Sequence, residues 1–168
     1  MPSIRTDIID VYVFRRDAHP HGASSGIEFL QLHRATGALQ GTWQTIMGHV
    51  HNGETGAQTA LRELQEETGF GSPAAPLLGF WQLEEVNTFF LASHDSIVLS
   101  ACFAVEVAPD SEPVLNEEHD ASRWVRRDHA DRAFTWPGQR NAIAAICRDL
   151  LPLDSPMREM LRLTTDKK

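Results

Sequence analysis

GHVHNGETGAQTALRELQEETGF, residues 48–70, sets Glu63, Glu66 and Glu67 beside Arg62 in a run whose spacing suits a helix. At about 100° per residue, a helix from about Thr55 to Thr68 gathers the three glutamates within an arc of roughly 100°. Ala57, Leu61 and Leu64, spaced i, i+4 and i+7, make a second face that needs burial. The spacing therefore predicts a helix anchored by an apolar stripe and presenting Glu63, Glu66 and Glu67 on an exposed acidic one. Like charges three and four residues apart repel, so the cluster is unfavourable unless a cation resolves it. Clustered carboxylate oxygens are the ligands that Mg²⁺ and Mn²⁺ prefer. A plain solvated face is the alternative. The flanks weigh against it: Gly48 and Gly53 precede the helix, Glu54 stands at its mouth, and Gly69 is placed as a stop.

Outward from this run, strand and turn signals alternate. Ile8 to Phe14 and Ile27 to His33 read as strands around a His, Pro, Gly and Ser loop from Arg16 to Gly26. A turn at Thr36-Gly37 and a strand-like Trp43 to Met47 lead into the glycine at 48. Gly71 to Pro76 reads as a linker, and Leu77 to Leu91 as one long or two shorter strands. Ser96 to Val107 is a strand, Ala108 to Asn116 a loop, and Ser122 to Arg126 a short strand centred on Trp124. Pro137 suits the first turn of a helix through about Leu150, with Ala142, Ile143, Ile146, Cys147 and Leu150 as its buried stripe. A short helix at Met157 to Leu163 precedes a polar end. The pattern implies a single α/β domain over residues 1–168, a mixed sheet with helices on both faces.

Composition narrows the chemistry. The 168 residues are 42% hydrophobic, enough for one core without staples, and carry a net charge of −8. That balance argues against a nucleic-acid surface. No apolar run approaches the ~18 residues of a membrane span, and the N-terminus has no basic-then-apolar signal pattern, so the cytoplasm is the expected setting. Cys102 and Cys147 read as small hydrophobes, with no Cys/His metal spacing. Oligomeric state is left open.

Gly48, five residues, Glu54, seven residues, Arg62-Glu63, Leu64, any residue, Glu66-Glu67, any residue, Gly69 and an apolar Phe70 together resemble the signature box of the Nudix hydrolases at all nine defined positions. The resemblance implies an α/β/α sandwich and hydrolysis of a nucleoside diphosphate linked to another group, with divalent metal between carboxylates and pyrophosphate. Trp43-Gln44, Ser93-His94, Glu118-His119 and Arg140-Asn141-Ala142-Ile143 further resemble the bacterial dihydroneopterin triphosphate and dATP pyrophosphohydrolase branch. In that branch a glutamate before the final strand joins the box glutamates on the metal. Glu118 matches it, Glu117 is its rival, and both read equally as surface acids.

On this reading the cofactor is Mg²⁺ or Mn²⁺, held by Glu63, Glu66, Glu67, Glu118 and, by family resemblance, the Gly48 carbonyl. Glu66 or Glu118 is the candidate to take the proton of an attacking water, crowding having raised its pKa. Arg62 orients Glu63 or an adjacent carboxylate, or serves only as an i,i+4 partner of Glu66. Arg34 reads as a phosphate ligand or as an exposed strand-end cation. Trp43, Trp81 and Trp136 read as ring-stacking platforms or as core. His49, His51, His94 and His119 lie near these positions without a ligand spacing of their own. The expected partner is a small nucleotide or pterin triphosphate, cleaved to a monophosphate and pyrophosphate. Pocket shape would come from loops 16–26 and 84–95. A general (deoxy)nucleoside triphosphate, nucleoside diphosphate or dinucleoside polyphosphate hydrolase is the runner-up. A non-catalytic nucleotide-binding module is disfavoured because every box acid is kept.

Overall fold

Eight strands among the described residues join in one mixed sheet; the structure is a computed structural model and describes residues 1–16, 26–37 and 39–164. In chain order β1 (Ser3–Arg5), β2 (Ile8–Arg16), β3 (Ile27–Arg34), β4 (Trp43–Gln44) and β5 (Ile46–His49) lead to helix α1 (Gly56–Thr68). Then come β6 (Gly79–Leu91), β7 (Ser96–Val107) and β8 (His119–Arg126). The short α2 (Ala130–Ala133), α3 (Pro137–Ala145) and α4 (Pro156–Met160) complete the chain. β7 runs parallel to β1 and β2 and antiparallel to β6, while β3 is antiparallel to β2, β4 and β8. β5 pairs antiparallel with the start of β2, setting Gly48 opposite Ile9.

Alternation in β2 builds the layers. Successive side chains of a strand point to opposite faces. Ile9, Val11 and Val13 enter a core with Leu30, Leu32 and Ile46, closed by Ala60 and Leu64 of α1. Tyr12 and Phe14 enter a second core with Phe29 and Trp81, closed by Ala142, Ile143 and Ile146. The helices thus lie on both faces, as expected.

Several boundaries differ from the sequence reading. β1 is an added strand, held by pairing Ile4 with Ile97 of β7. β6 runs unbroken to Leu91, so most of the expected loop 84–95 is strand, kept in register with β7 after an irregularity between Gln82 and Val86. The last strand begins at His119 and not at Ser122, because β3 pairs with it as far as Arg34. Helix α3 passes at Ile146 into a wider π turn that ends at Leu150. Of the other expected pocket loop, residues 17–25 lie outside the described residues. Gly37, at φ 84°, makes the turn between β3 and β4.

Candidate active site

Helix α1 carries the acidic cluster, and its ends are fixed locally. Thr55 and Gln58 bond each other's backbone amides at 3.3 and 2.8 Å, a reciprocal cap on the free N–H groups of the first turn. Gly69, at φ 72°, ends the helix and donates its N–H to the Gln65 carbonyl. Leu64 and Ala60 are buried, with Ala57 and Leu61 packed beside them. The acidic stripe departs from expectation. Glu66 is exposed, the Glu63 side chain retains 14% exposure, and Glu67 is buried at 3%. A helix lying flat on the sheet exposes one edge of the stripe and covers the other.

Arg62 is the hub of the exposed edge. Its Nε and Nη2 donate to both Glu54 oxygens at 2.9 and 3.1 Å, its Nη1 to Glu63 at 2.7 Å and Glu66 at 3.2 Å, and its Nη2 to the His49 carbonyl at 3.0 Å. Both sequence readings of Arg62 therefore describe contacts it makes. Its main partner is Glu54, which also accepts from Thr59 Oγ1 at 3.0 Å. The guanidinium holds the Glu54 carboxyl down at about 2. Gly48 leaves room for Glu63: a Cβ there would lie 2.2 Å from Glu63 Cγ.

At the buried edge, an oxygen of Glu67 has no hydrogen-bond partner among the described residues and lies 3.8 Å from His119 Nε2, which is fully enclosed and likewise unpartnered among them. Burial, reinforced by the charges of Glu63 and Glu118, pushes the Glu67 carboxyl up to about 8. Burial also raises Glu63, against the pull of Arg62, and lowers His119. The large upward shift thus falls on Glu67. Glu118 pairs with Arg34 at 2.7 Å, and its backbone carbonyl accepts from the Ala35 amide at 2.8 Å, tying the loop before β8 to the end of β3. Asn116 accepts from the Glu118 amide at 3.1 Å. The structure therefore brings Glu63, Glu67, Glu118 and Arg34 into one electrostatic group. It shows Arg34 ion-paired, whereas sequence offered phosphate or solvent. His119 is the residue sequence reasoning undervalued, and its only signal was its place beside Glu118.

The aromatic candidates separate. Trp81 is fully buried, a core residue whose Nε1 donates to the Arg158 carbonyl, so it offers no platform. Trp136 is exposed ahead of α3. Trp43 is partly exposed, its ring 4.1 Å from the Arg123 guanidinium and 5.0 Å from the His33 ring. His49, His51 and His94 are exposed, with His51 3.9 Å from Glu54 and His94 bonded to Ser93.

Among the described residues, no three His, Cys, Asp or Glu side chains are already drawn into a metal-binding group. Glu63 is turned to Arg62 and Glu118 to Arg34. The donor set nonetheless fits a hard divalent cation. It is all oxygen, it includes a buried carboxylate oxygen with no partner among the described residues, and Gly48 in β5 leaves the space that the Glu63 side chain fills.

The family model described as NUDIX domain matches residues 8–146. The bis(5'-nucleosyl)-tetraphosphatase [asymmetrical] of Rattus norvegicus is 37% identical over 120 residues, 70% of this chain and 77% of that protein. An octanoyltransferase of Myxococcus xanthus is 36% identical over 105 residues, 61% of this chain and only 28% of that protein's length. Among solved structures, the E. coli dihydroneopterin triphosphate pyrophosphohydrolase superposes with a TM-score of 0.64 at 22% identity, covering 85% of this chain and 95% of that one, a likeness of fold.

Proposed function

The chain belongs to the NUDIX family of hydrolases, and from that premise we propose that it cleaves a phosphoric anhydride of a small nucleotide polyphosphate with the help of Mg²⁺ or Mn²⁺. The observation that carries the proposal is the buried Glu67 oxygen left without a partner among the described residues, beside Glu63 and Glu118. An acid kept in so unfavourable a place is best explained by a cation that satisfies it. Glu63, Glu66, Glu67, Glu118 and the Gly48 carbonyl would hold the cation. When bound, it supplies charge neutralisation for the polyphosphate and a more acidic water.

The chain's own residues do the rest. Arg62, braced by Glu54, orients Glu63 without touching substrate. Arg34 positions Glu118. Glu66, the exposed carboxylate with a single 3.2 Å contact to Arg62, takes the proton of the attacking water, with Glu118 as the alternative base. Trp43, already flanked by Arg123, offers ring surface to the organic end of the substrate.

For the substrate, the 37% identical rat relative supports a bis(5'-nucleosyl) polyphosphate, split into unequal nucleotides. The second reading is a triphosphate, dihydroneopterin triphosphate or dATP, cleaved to monophosphate and pyrophosphate; the Ser93-His94 and Arg140-Asn141 matches favour it. The test is a panel of dinucleoside polyphosphates, dATP and dihydroneopterin triphosphate with Mg²⁺ in ¹⁸O-water, with products separated and the label located. We expect the highest kcat/KM on a dinucleoside polyphosphate. From a triphosphate we expect intact pyrophosphate, with the label in the monophosphate. No turnover of any member at saturating Mg²⁺ overturns the proposal, and release of single phosphates from triphosphates overturns the second reading.

A further inference from the structure

Gln31 is out of character with its strand. Phe29, Leu30 and Leu32 beside it on β3 are buried apolar side chains, and Gln31 itself is fully buried. A buried amide is costly unless both its ends are bonded, and an aliphatic side chain would fill the same place without that cost. Both ends of Gln31 are bonded. Nε2 donates to the carbonyl of Ala133, the last residue of α2, at 3.1 Å. Oε1 accepts from Nε and Nη2 of Arg123, directly opposite on β8, at 2.9 and 2.7 Å.

The second end explains the residue. Arg123 is exposed, and an exposed arginine ordinarily keeps much rotamer freedom; here two donors on one acceptor fix it. Its guanidinium reaches across β3 and lies over the Trp43 ring, 4.1 Å from the centroid. The acceptor is a neutral amide, so the charge stays free to act on the π face, whereas a carboxylate there would compete for it. Trp43 also meets His33, its partner across the strand pair, at 5.0 Å and 51°, and His33 is tied through Nδ1 to Asp120 at 2.5 Å. Trp43 is thus bracketed by two side chains, each held by a further one. The residue after His33 on β3 is Arg34, the partner of Glu118, which sets the bracketed ring at the same end of the sheet as the carboxylates.

We propose that Gln31 and Arg123 are positioning residues for Trp43, holding its ring in the orientation that stacks on the organic ring of the substrate. The inference rests on the reading of Trp43 as a ring platform for the hydrolytic site. Neither residue touches the substrate. A platform fixed before binding gives up no further freedom when the ligand arrives, so the bracket shows in KM and not in kcat.

The test compares the parent with Arg123→Ala, Gln31→Leu, Trp43→Ala and the double variant Arg123→Ala/Trp43→Ala. Diadenosine tetraphosphate, dATP and dihydroneopterin triphosphate serve as substrates, and inorganic tripolyphosphate, which has no ring, as competitive inhibitor. Arg123→Ala and Gln31→Leu should raise KM about tenfold with kcat within about twofold, and Trp43→Ala should raise it at least as far. The Ki of tripolyphosphate should stay at the parent value throughout. The double variant should be no worse than Trp43→Ala alone, because the arginine acts through the ring. A raised KM in Trp43→Ala with a parent-like KM in Arg123→Ala overturns this inference and leaves the reading of the site standing. Multiplying effects in the double variant overturn it too, by placing Arg123 on the substrate itself. A parent-like KM in Trp43→Ala, or no turnover of any substrate by the parent, removes the reading and the inference together. If Gln31→Leu does not fold, Arg123→Ala, a change at an exposed side chain, decides.

Discussion

Gly48→Ala tests the packing of the acidic cluster with a single methyl group. Gly48 lies in β5 opposite Ile9, outside the positive-φ conformations, so what glycine provides there is space. The added Cβ would fall 2.2 Å from Glu63 Cγ, 2.4 Å from Cδ and 2.5 Å from Oε1. Carbon atoms rest at about 3.5–4.0 Å, so Glu63 must retreat by more than about 1 Å. That movement breaks its 2.7 Å bond to Arg62 and takes its carboxylate out of the group around Glu67. A 1 Å misplacement of a positioned group costs about 100-fold in rate. Overpacking costs about 1–3 kcal/mol of stability, towards the lower end here because Glu63 is partly exposed and can swing outward. The assay is kcat/KM across a Mg²⁺ titration, with thermal melting alongside. Gly48→Ala should lose about two orders of magnitude in kcat/KM and melt a few degrees lower. Adding Glu63→Ala should restore melting while leaving activity lost. Parent-like kcat/KM in Gly48→Ala, or a double variant that melts no higher than the single, would refute the reasoning.

Three further outcomes are expected. Glu67→Gln should reduce turnover by orders of magnitude, and it should also alter stability, although an exposed glutamate would have left the melting curve unchanged. With its carboxyl pushed up to about 8 from an ordinary 4.5, the metal-free fold has this contribution in full below pH 4.5 and loses it as pH rises through 8. In EDTA the Gln variant should therefore melt above the parent at pH 8 with a flatter pH dependence, and superimposable curves would count against burial of that carboxyl. Glu118→Gln should lower kcat/KM by about 10–100-fold, with Arg34→Ala following it in part, while Glu117→Gln stays near the parent; equal small effects at 117 and 118 would return both to plain surface acids. Asp10 is buried, accepts from Asn87 Nδ2 at 2.6 Å, and is raised by burial to about 6 from 3.8. Its ionisation costs the fold about 3 kcal/mol above pH 6. Stability from this group is full below pH 3.8 and lost as pH rises through 6, so Asp10→Asn should flatten the melting profile over that interval.

Residues 48–70 were legible because their structure is decided within a few turns of chain. Helical spacing placed Ala57, Leu61 and Leu64 on the sheet side, and Gly69 ended the helix at the expected position. Arg62 was readable as a partner of Glu63 and Glu66 for the same local reason. The β-branched and aromatic run of Ile8 to Phe14 likewise marked β2, which is buried on both faces. Sequence alone therefore determined the family, the central helix and the acids clustered on it. Only the tertiary structure decided which of those acids is buried, since Glu67 is covered by His119, a residue from a distant strand. It also decided that Arg34 is held by Glu118, that Trp81 belongs to the core, and that residues 84–91 continue a strand. Burial and charge pairing depend on which distant segments are brought together, and a one-dimensional pattern records spacing along the chain but not proximity across the sheet.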